Sequence, residues 1–315
     1  MINGVINVYK EPGYTSHDVV ARLRGITHQK KIGHTGTLDP AAVGVLCVCL
    51  GSATRICDML TDETKEYEAV MLLGVSTDTQ DTTGEVLEEK EVDIISKEAL
   101  LSVISHYVGE IKQIPPMYSA LKVNGKKLYE LARAGIEVER KARDITIYSI
   151  NVVDIKLPRV TIRVKCSKGT YIRTLCHDIG TELGCGAAME HLTRTRVGDF
   201  SLDTALTLDE IEEYVKTDRL GEIIVTPADV FSKLRSVVIV TEQGIKRADN
   251  GNLLEMSDIM LTDSAELNSS TDVSFGNELA DGEEIKVMRQ DGFFYGVFKV
   301  DVANQILKPH KMFFC

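Results

Sequence analysis

Residues 33–40 read Gly33-His34-Thr35-Gly36-Thr37-Leu38-Asp39-Pro40 and run directly into an apolar stretch at 41–50. Two glycines punctuate the segment, so its one carboxylate, Asp39, sits on a turn and is presented at the lip of whatever the apolar stretch helps to build. Pro40 fits the first residue of a helix, with Asp39 as its N-cap, and capping alone would account for an isolated Leu-Asp-Pro. No second Asp or Glu stands at acid/base spacing, and no serine elbow or ligand cluster surrounds Asp39. Any chemistry here therefore runs through a single carboxylate acting as nucleophile.

Ile2, Val5, Ile6 and Val8 predict a strand over 2–9, and Thr15 with Asp18 forms a capping box opening a helix through Val19, Val20 and Leu23. From Lys65 the pattern alternates, with Tyr67, Ala69, Met71 and Leu73 opposite Glu66 and Glu68, which predicts a half-buried strand. Residues 76–84 read as a polar turn and 97–107 as a helix. Asn124-Gly125 marks a tight turn before a short basic helix at 126–134 that Gly135 stops. Strands at 144–156 and 159–167 are joined near Pro158, a helix at 171–183 aligns Ile172, Leu175, Ile179 and Leu183, and Thr207 with Glu210 caps another. Beyond 230, short β-like runs at 237–240, 285–288 and 293–300 surround a polar stretch at 263–277. That texture predicts an α+β chain with a large domain at 1–230 and a small β-rich domain at 231–315 carrying a flexible insertion.

Composition removes several classes of function. The 315 residues are 43% hydrophobic, enough for a full core, yet the longest apolar run is far short of the roughly 20 residues a membrane helix needs. With no secretory pattern at the N-terminus, a soluble, cytoplasmic protein without membrane contact is expected. Seven cysteines without a C-x-x-C pair argue against a disulfide framework and against a structural metal site. The net charge of −11 hides an asymmetry: residues 1–110 carry −8, 111–200 carry +7 and 201–315 carry −10. The basic middle includes Lys122, Lys126, Lys127, Arg133, Arg140, Lys141, Arg143, Lys165, Lys168, Arg173, Arg194 and Arg196. Such an island suits contact with a phosphate backbone, although charge runs are as readily solvated faces.

Taken singly, His34 fits a satisfied loop histidine, Tyr67 a strand aromatic and Leu192 a core residue. Arg173 is different. It falls in the first turn of its helix, where the macrodipole disfavours a cation, so a nearby carboxylate is expected. If that partner is Asp39, the guanidinium would lower its pKa and hold it ionised, as a nucleophile requires.

Five motifs then occur in order: K-E-P-G-Y-T-S at 10–16, G-H-T-G-T-L-D-P at 33–40, Lys65 to Tyr67 with T-D-T-Q-D-T-T-G at 77–84, K-G-T-Y-I-R-T at 168–174 and L-G-C-G at 183–186. Their order and spacing resemble the bacterial tRNA pseudouridine-55 synthases, the TruB family, over about residues 2–230. Residues 282–300 and L-K-P-H-K-M-F at 307–313 are more weakly similar to that family's small PUA-like RNA-binding domain. K-E-P-G departs from the K-P-x-G of many members. The resemblance implies a mixed, mostly antiparallel central sheet with flanking helices. It also implies isomerisation of one uridine in the tRNA T-loop, by base flipping, without cofactor or metal. It assigns Asp39 as the catalytic aspartate, Tyr67 as the tyrosine packed on the target base and Arg173 as the partner of the aspartate. Tyr171 and Leu192 become base-pocket residues, and His34 stacks in the space the flipped base leaves. Lys10, Thr35 and Gly36 join the substrate-binding set. The segment around 120–143 becomes an RNA-binding flap, pivoting at Asn124-Gly125 and Gly135, and the tRNA T-arm stem-loop becomes the partner of a monomer.

Three other classes compete with this reading. T-G-T-L also occurs in phosphorylating ATPases, but their nucleophile position is Gly33 here. A non-catalytic RNA-folding protein would have no use for Asp39, Tyr67 and Arg173 together. A guide-RNA-dependent relative is distinguished by activity on an isolated T-arm stem-loop.

Overall fold

The apolar stretch at 41–50 is a strand, and Asp39 caps no helix. The computed structural model describes residues 2–92, 95–123, 125–262 and 279–313. It begins with β1 (Gly4–Lys10), α1 (Ser16–Thr27), β2 (Ile32–His34) and β3 (Val43–Leu50). From Val45 to Leu50 every residue of β3 is fully withdrawn from water. Val45, Cys47 and Cys49 enter one apolar cluster with Ala53, Ile56 and Leu60, whereas Leu46, Val48 and Leu50 enter another with Val19, Leu23 and Ile26 of α1. A strand covered on both faces loses its polar alternation, so periodicity alone does not separate it from a buried helix. Residues 35–42 form an irregular connection between β2 and β3.

The capping box of α1 is present: Thr15 Oγ1 accepts from the Asp18 amide at 3.1 Å, and Asp18 accepts from the Thr15 amide at 2.8 Å. The chain continues through β4 (Lys65–Leu73), α2 (Lys97–His106), β5 (Gly109–Gln113), α3 (Leu128–Arg133), β6 (Arg143–Lys156), β7 (Arg159–Cys166), α4 (Ile172–Glu182), β8 (Ala187–Val197) and α5 (Leu208–Lys216). A long sheet orders these strands β1-β3-β8-β4-β7-β6-β5, with β2 and a short strand at Phe200–Ser201 at its margin. Every pairing in it is antiparallel except β3 with β8. Strands β5 and β8 lie in segments where no strand was expected. Lys126 and Lys127 pair with Lys122 and Val123 instead of opening the short basic helix, which starts at Leu128. Asn124 and residues 263–277, where a pivot and an insertion were expected, lie outside the described residues.

Beyond Ser236 a six-stranded sheet forms around a separate core that includes Val237, Ile285, Val287, Phe298 and Leu307. Phe294 and Phe313 stack at 5.3 Å between ring centres, and Phe231 lies 5.9 Å from Phe313. These rings join the cluster of Ala53, Ile56 and Leu60, so the C-terminal sheet docks on the back of β3.

The parallel seam between β3 and β8 depends on Gly44. Its φ is +104°, and a Cβ there would stand 2.3 Å from the Arg194 carbonyl oxygen. Gly44→Ala should therefore cost at least about 2 kcal/mol of stability. The check is the urea midpoint; an unchanged value would mean that the seam yields without strain.

Candidate active site

The Asp39 connection is pinned from both sides. Leu38, itself buried, donates its amide to Ser16 Oγ at 3.0 Å, and Gly13 donates to the Pro40 carbonyl at 2.9 Å. Lys10 completes the clamp. It is 0% exposed, and its Nζ donates to the carbonyls of Glu11, Tyr14 and Pro40 at 3.1, 2.7 and 3.1 Å. Burial pushes its pKa down to about 8, with Asp39 opposing. With all three donors engaged, Lys10 holds the loop rather than the substrate. Thr35 is likewise buried, its amide donating to the Cys47 carbonyl at 3.1 Å, so it too supports rather than touches. Of the substrate-binding set expected in these motifs, Gly36 and His34 remain on the accessible side.

Arg173 leaves the first turn of α4, is 5% exposed and gathers three segments. Its Nε lies 3.0 Å from Asp39 Oδ2, and its Nη2 donates to Asp39 Oδ1 at 3.4 Å and to the Tyr118 carbonyl at 2.8 Å. Its Nη1 donates to the Thr79 carbonyl and to Asp81 Oδ2, both at 3.2 Å. A second carboxylate thus stands behind the guanidinium, contrary to the single acid expected. Asp81 is held there by Thr79 Oγ1 at 2.8 Å and the Thr83 amide at 3.0 Å. The T-D-T-Q-D-T-T-G motif carried that signal, because threonines two residues either side of an aspartate lock its carboxylate through local hydrogen bonds.

The Asp39 side chain keeps 40% of its surface exposed, yet protein crowds its carboxylate from most directions. Its pKa is raised from 3.8. Withdrawal from bulk water is the largest cause, Arg173 pulls it down, Asp81 pushes it up and Lys10 pulls it down. The expectation that the guanidinium would set a lowered value is corrected: desolvation outweighs the ion pair.

Tyr67, on β4, lies directly across from Arg194 on β8 and packs with Leu192 against the main core. Burial raises its phenol pKa, and Asp39 lies close enough to add to that rise. Tyr171 stands just before α4, its amide donating to Gln113 Oε1 at 2.8 Å and its carbonyl accepting from Gln113 Nε2 at 3.0 Å. Burial raises its phenol as well, with Ser119, Arg143 and Arg173 opposing. His34 meets the edge of His17 at 5.2 Å, and burial lowers its pKa, leaving a neutral flat ring suited to stacking. The structure thus pairs Asp39 with Arg173, brings Tyr67 and Tyr171 within electrostatic reach of Asp39, and packs Leu192 beside Tyr67 on the core.

The basic island is partly internal. Arg173 and Arg194 are buried. Lys122, Lys126, Arg133, Lys141 and Arg143 are exposed, and none forms an ion pair among the described residues. Tyr129 lies between Lys127 Nζ at 5.3 Å and the Arg133 guanidinium at 5.6 Å, an aromatic face framed by cations.

An aspartate clamped by a helical arginine thus stands beside a mixed sheet, near a strand tyrosine. Two solved structures share the fold at a TM-score of 0.72. They are described as a Cbf5-Nop10-Gar1 complex (29% identity) and an H/ACA RNP bound to a substrate RNA containing 2′-deoxyuridine (26%), and each alignment covers 99% of this chain and 85% of the other. The family model "TruB family pseudouridylate synthase (N terminal domain)" matches residues 24–172, and "tRNA pseudouridylate synthase B C-terminal domain" matches 173–245. The chain belongs to the TruB family. The tRNA pseudouridine synthase B of Lachnoclostridium phytofermentans is 46% identical over 99% of this chain and 100% of that protein. That of Alkaliphilus oremlandii is 50% identical over 80% and 82%.

A raised carboxyl loses its charge at a higher pH than a free aspartate does. The acid limb of single-turnover rate should therefore lie above pH 3.8, and Arg173→Gln, which removes the cation that lowers it, should move the limb further up. A limb at or below 3.8 would mean that the ion pair wins after all.

Proposed function

We propose that this chain converts uridine-55 in the T-loop of tRNA to pseudouridine, acting as a cytoplasmic monomer. The observation that carries this reading is the 3.0 Å pair of Asp39 with the saturated Arg173 fork, in a TruB-family chain. Residues 1–230 are the catalytic part and residues 231–315 a PUA-like RNA-binding domain.

The target uridine is inaccessible inside a folded T-loop and must be extruded, at a cost of a few kcal/mol that new stacking and hydrogen bonds offset. Tyr67, Tyr171 and Leu192 receive the base, and the neutral ring of His34 fills the space it leaves. The C1′–N1 bond then breaks, the base turns, C1′ joins C5, and the C5 proton is exchanged for one on N1. Atoms balance within the nucleotide. Asp39 serves by adding to C6, by attacking C1′ or by assisting loss of the 2′ proton; each route uses its ionised form. The 120–143 segment, which follows the Tyr118 carbonyl held by Arg173, closes over the RNA as a flap. A guide-dependent reading follows from the likeness to chains in H/ACA ribonucleoproteins, and an assay without guide RNA separates the two.

The purified chain should form one pseudouridine in a bare T-arm stem-loop. Asp39→Asn should form none while its RNA Kd stays within about threefold, because the carboxylate does chemistry and phosphate contacts position the substrate. Measurable product from pure Asp39→Asn protein would refute the assignment.

Alanine at Lys122, Lys126 and Arg133 should weaken RNA binding and flatten the plot of log affinity against log salt by about 0.7 to 0.9 for each phosphate that the protein no longer neutralises. An unchanged slope would remove this face from the RNA surface.

A further inference from the structure

The largest side chain wholly withdrawn from water is that of Arg194, 1% exposed in β8. Its Nε donates to the Val45 carbonyl at 2.7 Å, and its Nη1 lies 3.8 Å from the point where a Cβ would stand on Gly36. Its Nη2 has no hydrogen-bond partner, and no carboxylate pairs with the guanidinium among the described residues. Arg194 and Tyr67 are directly opposed on paired strands, so their side chains share one face of the sheet, and the guanidinium reaches the phenol. Its charge also acts on Lys10, His34, Cys47 and Lys65. A buried cation without a counter-ion is costly, and an apolar side chain would fill the position more cheaply. Its charge is instead left without a paired carboxylate among the described residues, on the face of the sheet that carries Tyr67.

Negative charge arises there during the reaction. In each route open to Asp39 the uracil holds an extra electron pair at one stage. The pair comes from the broken C1′–N1 bond, or it moves to O4 when C6 is attacked. We propose that Arg194 is a positioning residue that stabilises this anionic base, through the Tyr67 hydroxyl and through its own unpaired charge. The inference rests on the function proposed for the Asp39 site. On the same face of the sheet, the guanidinium opposes the burial that raises the phenol's pKa, so the Tyr67 hydroxyl is a stronger donor toward the anionic base. A fixed charge in a water-poor interior acts on the developing anion without reorganisation.

The test compares the parent chain with Arg194→Met, Arg194→Gln and Arg194→Lys in single-turnover cleavage of the glycosidic bond. The substrates are T-arm stem-loops bearing uridine or 5-fluorouridine at the target position. Fluorine stabilises the anionic base by itself, so less help from the protein is needed. Arg194→Met should slow the uridine substrate at least about tenfold more than the fluorinated one, with RNA Kd within about threefold of the parent. Arg194→Lys should recover most of that difference. Equal slowing of both substrates, no slowing, or a lysine variant as impaired as methionine would each overturn the proposal, because each marks a packing role. Should Arg194→Met fail to fold, the comparison of Arg194→Gln with Arg194→Lys decides in the same way. A parent chain inactive on uridine would refute the proposed function instead.

Discussion

The site is organised around one guanidinium. Arg173 joins the Asp39 connection, the Thr79–Asp81 turn and the Tyr118 backbone, segments far apart along the chain, through hydrogen bonds and an ion pair of 2.8 to 3.4 Å. A planar fork of donors fixes direction as well as distance, which an ammonium could not do. Its position at the start of a helix would be unfavourable for a lone cation, and two carboxylates remove that penalty. The same contacts set the electrostatics of the acid. Asp39 is drawn toward neutrality by burial and toward charge by Arg173, while Asp81 shares the cation and weakens its pull.

Much of the fold is legible in the sequence because local rules and tertiary structure agree. The capping boxes at Thr15 and Thr207 start helices where the residues say they should. The alternation from Lys65 to Leu73 gives a strand with the expected inner face. The failures have physical causes. β3 is buried on both sides, so its composition carries no period. β8 is hidden because Arg194, a charged residue, faces inward while Arg196 faces solvent, which breaks the alternation of polarity that marks a strand.

The site is legible in its chemistry and less so in its depth. An aspartate before a proline and an arginine in a first helical turn point to each other through electrostatics alone. Lys10 and Thr35 sit in the same motifs, yet they turn inward to hold the backbone that carries Asp39. A motif marks residues that a site needs without saying whether they meet the ligand or brace the loop. Asp81 and the Tyr118 carbonyl show the converse, since only folding brings them to Arg173.

The phenylalanine seam has a further bearing on how the molecule holds together. Phe231, Phe294 and Phe313 complete the apolar layer that lies against one side of β3, whose other end continues from the loop bearing Asp39. The distal sheet is thus part of the wall behind the reaction centre, not a detachable tag. A shortened chain lacking it would bare an oily scar beneath the catalytic strand and invite clumping, so any architecture that dispensed with this unit would have to repaint Ala53, Ile56 and Leu60 with polar side chains.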